Sequence, residues 1–206
     1  MDKHSSWAAP QHHRAYYGLV IISFGLGSIF GVLAGYLLDA ARFQTLYQYL
    51  AGYFQTTFPE SSAQLIYQSL IQANSLDLAK LLFLGFCLIG APLIILQLFI
   101  KGFSLGFTLS LFLKGLAAQQ AIAAFTMLLL AQIVPVLLII AAGACALQSS
   151  WTLFLGQSLT NRGYWLRYLL YCVLLLLAAA AASCLEGFLL HSVFADFLSH
   201  LFVPNK

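Results

Sequence analysis

Residues 16–38 read YYGLVIISFGLGSIFGVLAGYLL, a run without one charged side chain. A helix of this length covers roughly 34 Å at about 1.5 Å per residue, enough for a hydrocarbon core of about 30 Å. Lipid offers no hydrogen bonds to backbone N–H and C=O, so a spanning segment of this kind is a helix. Leu81 to Ile100, Ala121 to Leu147 and Leu166 to Leu190 have the same character. Gly102 to Leu113 is apolar but shorter. With Leu116 to Ala118 added it crosses with little tilt; without them it is a re-entrant hairpin arm.

Composition agrees. Of 206 residues, 62% are hydrophobic and 7% charged, with mean hydropathy +0.91. A soluble domain is about 25% charged. The net charge of +3 is too small to suggest a nucleic-acid partner. The expected fold is all-α, a polytopic membrane helix bundle forming one domain over residues 1–206. Its transmembrane helices are expected at about 16–38, 78–100, 102–118, 121–147 and 166–190, with an outer amphipathic segment over 39–77.

The first apolar run is far longer than the roughly 7–15 residues of a signal-peptide core, so it reads as a signal anchor. Lys3 and Arg14 precede it, which puts the N-terminus in the cytoplasm. With five crossings, Lys101 marks a cytoplasmic loop, and Asp39, Glu60, Asp77, Glu186 and Asp196 fall outside. The Lys/Arg tally is the same if the short run re-enters, so positive charge alone does not choose between the two.

Ser23, Gly27, Gly31 and Gly35 recur at every fourth position, cutting a groove along one helix face. Gly102, Gly106 and Ser110 repeat the pattern, as do Ala179, Ser183 and Gly187. Such faces serve packing within the chain or the seam of a homo-oligomer. Pro135, in the middle of its helix, removes one hydrogen bond, and Gln132 can satisfy the freed carbonyl or reach a neighbouring helix. Pro92 is expected to kink the second run in the same way. In the outer segment, Phe43, Leu46, Tyr47, Leu50 and Phe54 share one helical face, while Gln44, Gln48 and Gln55 lie away from it. That face suits the bilayer surface, the bundle or a partner protein. The residues from Ser192 to Phe202 carry a similar apolar stripe.

No catalytic set, phosphate loop or cofactor motif emerges. The five histidines have no ligand spacing, so no metal is expected. Cys87, Cys145, Cys172 and Cys184 lie in apolar runs and read as small packing residues. Glu186 is the single acid deep in a candidate span, either a functional group or an end residue that snorkels.

The stretch Lys101, Gly102, Phe103, Gly106, Phe107 and Thr108 follows a long apolar run, and Ile133, Pro135, Leu138 and Ala142 sit centrally in the next helix. In this order of elements the chain closely resembles the stage II sporulation protein M family. Val136 and Leu137 stand where that family often has an Asn. The resemblance implies a non-enzymatic protein of the cell membrane and sporulation septum that works in engulfment during endospore formation. It would recruit peptidoglycan hydrolases, a lytic transglycosylase and an amidase/endopeptidase. The residues implied for partner contact are Phe43, Leu46, Tyr47, Leu50 and Phe54. The competing reading is a transporter or permease subunit working with a partner ATPase, motivated by a short Gly-flanked helix beside a proline-bearing one.

Overall fold

The computed structural model describes residues 11–46, 48–49, 63–115, 118–155 and 162–189. Among these there is no strand. Five long helices carry the fold: α1 (Gln11–Tyr36), α2 (Ala63–Leu84), α3 (Gly90–Gly115), α4 (Ala118–Phe154) and α5 (Arg162–Leu189). Residues 40–46 and 48–49 are also helical. Four segments are long and apolar enough to cross a membrane: Ala15–Tyr36, Gly90–Gly115, Gln132–Phe154 and Trp165–Phe188. The protein is therefore a multi-pass membrane helix bundle.

The centre of the chain departs from the sequence reading. Lys101 is not in a loop; it lies inside α3, which runs unbroken from Gly90 to Gly115. The expected helices over 78–100 and 102–118 are replaced by α2 and α3, with the break at Gly85 to Ile89. The local signals for that break are glycines at 85 and 90 followed by Pro92. In the first turn of α3, Pro92 lacks only an N–H that would have had no partner, so it starts a helix and does not kink one. α2 begins at Ala63, within the segment over 39–77, and runs on to Leu84.

Broken backbone inside an apolar bundle must still be bonded. Here Gly85, Phe86 and Cys87 donate to the carbonyls of Leu82, Phe83 and Leu84 at 3.0–3.1 Å. Tyr168 donates its hydroxyl to Leu82 O at 2.9 Å, and Ser150 donates to Cys87 O at 2.9 Å. Phe86 stacks on Trp165 (5.4 Å between centroids) and meets Tyr168 edge-on (4.9 Å). A side chain at Gly85 would strike the Tyr168 hydroxyl, so the tight turn depends on glycine there.

α1 and α3 run parallel, because contacts advance along both together. Ser23 donates to Ile95 O (2.9 Å), Gly27 lies against the backbone of Phe99, Gly31 against that of Phe103, and Gly35 against Ser110. In return, Gly102 meets Phe24 and Gly106 meets Ser28. α2 is antiparallel to α3: the turn joins Leu84 to Gly90, and Asp77 lies beside Gln97 and Lys101. Leu78, Leu81, Ile94, Leu98 and Val20 fill the core, while large apolar residues such as Ile22, Leu37, Leu166 and Leu177 face outward, as lipid requires.

Candidate functional site

Polar side chains converge from three helices at one place in the bundle. On α5, Glu186 is 5% exposed, and no expectation of a snorkelling end residue survives that burial. Asn74 of α2 donates Nδ2 to Glu186 Oε2 at 2.9 Å and to Ser183 Oγ at 3.1 Å. Gln132 of α4 donates Nε2 to Glu186 Oε1 at 2.9 Å, so its amide goes to the neighbouring helix. Ser183 in turn donates to Ala179 O. Both oxygens of the carboxylate are thus held by carboxamides from two other helices.

Beside this cluster is an ion pair. Lys101 of α3 is bonded to Asp77 of α2, and Gln97 donates to the Asp77 carbonyl at 3.1 Å. Lys80 approaches the other Asp77 oxygen at 3.6 Å from the same helix face. Asp77 and Glu186, two of the acids expected on the outer side, each face other helices of the bundle. A small cavity lined by Asn74, Leu78, Pro135, Leu138 and Ala179 adjoins the cluster. Pro135 is buried on it, within a helix that continues past the proline.

The sequence-derived packing residues lie elsewhere. Gly27, Gly31, Gly35, Gly102 and Gly106 are all buried in the α1–α3 contact, where the backbones meet directly. The first two small-residue faces are therefore occupied within the chain. At the far end of this contact, Lys114 of α3 donates to Leu38 O (2.9 Å) and Tyr36 O (3.4 Å), a cation on the carbonyl end of α1. Its Nζ also sits 5.3 Å from the Phe43 ring centroid. Phe43 is half-buried and Leu46 exposed. Tyr47, Leu50 and Phe54, with the stripe after Ser192, lie outside the described residues. Among the described residues no group of His, Cys, Asp and Glu is arranged to hold a metal.

Sequence reasoning named Gln132 and Glu186 separately and missed Asn74 and Asp77 as bundle residues. Their signal was polarity at positions that only a tertiary contact brings together.

A family model described as stage II sporulation protein M matches residues 20–189, from α1 to the end of α5. The chain belongs to that family. The sporulation protein M match takes in every helix of the polar cluster and the whole α1–α3 groove. No match is found among curated proteins or among solved structures.

Proposed function

We propose that this sporulation protein M family member is a non-enzymatic membrane anchor that recruits peptidoglycan hydrolases to the septum for engulfment. The hydrolases are of two kinds, a lytic transglycosylase and an amidase/endopeptidase. The observation that carries the reading is the family match over residues 20–189 of a membrane helix bundle. In this reading α2 is a fifth crossing. A helix of its 22 residues covers about 33 Å, and the parallel course of α1 and α3 requires the chain to return between them. The N-terminus is then cytoplasmic, and the segment after α1 faces outward with Phe43 and Leu46.

The permease alternative drew on a separate short helix over 102–118. Residues 102–115 instead continue α3, and that motive is gone.

The test is affinity purification of the intact protein from its host membranes, with mass spectrometry of what accompanies it. Enrichment of septal peptidoglycan hydrolases supports recruitment. Their absence, with the protein itself recovered in good yield, counts against it.

A further inference from the structure

We propose that Glu186, Asn74 and Gln132 form a proton-binding site inside the bundle, with Glu186 exchanging between carboxylate and carboxylic acid. The argument begins with the partners. Glu186 is buried, and its two oxygens accept from neutral carboxamides, not from a cation. An ionised carboxylate in apolar surroundings is costly unless charge is close by. The charges on the neighbouring helices are engaged with one another: Lys101 on α3 is bonded to Asp77, and Asp77 and Lys80 stand on α2. α4 contributes Gln132, which is uncharged.

Carboxamides suit both protonation states. An Asn or Gln presents NH2 on one side and C=O on the other, and the two exchange by a half-turn of the terminal group. With Glu186 ionised, Asn74 and Gln132 both donate, as observed. With Glu186 protonated, one of them turns and accepts the acid O–H. The step is a proton transfer to one carboxylate oxygen and the rotation of one amide, with no other bond made or broken. A cationic partner such as Arg would hold the carboxylate permanently ionised. Asn74 also lines the small cavity, with Leu78 and Pro135. The site joins α2, α4 and α5, so its occupancy bears on how three helices pack.

The experiment is pH-difference infrared spectroscopy of the full-length protein in lipid nanodiscs, over roughly pH 4 to 9, a range that spans ordinary and shifted carboxyls. The expected result is a protonated-carboxyl C=O band that grows as pH falls, is lost in Glu186→Gln and is kept when the exposed acid Asp39 is replaced in Asp39→Asn. Gln132→Leu and Asn74→Leu should each shift the frequency of that band, because each removes one hydrogen bond. These two variants carry the test should Glu186→Gln not fold. A titrating band unchanged in all of these variants, or no titrating band in the wild type, overturns the proposal.

Discussion

Lys101 of α3 and Asp77 of α2 are ion-paired between two helices of the bundle, with side chains still 35% and 26% exposed. Each residue alone interrupts an apolar helix. Together they join the two arms of the α2–α3 hairpin. Removing Asp77 leaves Lys101 without this partner, and removing Lys101 leaves Asp77 only Lys80 of its own helix, at 3.6 Å. Lys101→Met or Asp77→Leu alone should cost about 2–3 kcal/mol, somewhat below the about 3–5 kcal/mol of a fully buried pair. The double variant should recover much of that loss. Reversible unfolding of all four proteins in detergent gives the coupling energy; additive effects would mean the pair contributes nothing.

The α1–α3 groove makes a sharper prediction. A methyl group at Gly31 or Gly106 would overlap the carbonyl of Phe103 or Ser28, whereas at Gly25 it meets nothing within 4 Å. Gly31→Ala and Gly106→Ala should each destabilise by about 1–3 kcal/mol, the usual cost of overpacking. Gly25→Ala should be neutral or slightly stabilising, since alanine favours helix. Thermal unfolding of the three variants in one detergent checks this. Equal behaviour would place α1 and α3 apart.

The position of the helix break can be read by labelling. Ile89 lies in the turn, whereas Ile100 is mid-helix and faces outward from the bundle. In a cysteine-free background, Ile89→Cys should react with a water-soluble maleimide, from the cytoplasmic side in the proposed orientation, and Ile100→Cys should stay unreacted. The reverse pattern would restore the loop at Lys101.

For the outward segment, Leu46→Lys combined with Leu50→Lys should reduce co-purification of the hydrolases severalfold without lowering the amount of protein in the membrane. Leu46 is exposed and available for contact. Undiminished recovery of the hydrolases would move the docking surface elsewhere on the protein.

Several features were legible before any coordinates. The α1 glycines at four-residue spacing already described a groove, because a helix brings such positions onto one face whatever its neighbours. The groove's occupant was not legible: only the structure shows Phe99, Phe103 and Phe107 presenting backbone there. Pro92 was misread as a kink because its meaning depends on where the helix begins. Glycines at 85 and 90 held that information but do not stand out within an apolar run.

The sequence by itself determined the solvent and the secondary structure. So few charges and such long apolar runs leave lipid as the surroundings, and lipid leaves the helix as the way to bond the backbone. Tertiary structure alone decided which charges belong inside. Hydropathy adds along one segment, so Lys101 looked like the boundary between two helices and Asp77 like part of a polar loop. Whether a charge stays within a bundle depends on an opposite charge or hydrogen-bonding group from another helix. Asp77 supplies it for Lys101, and Asn74 and Gln132, 112 and 54 residues away in the chain, supply it for Glu186.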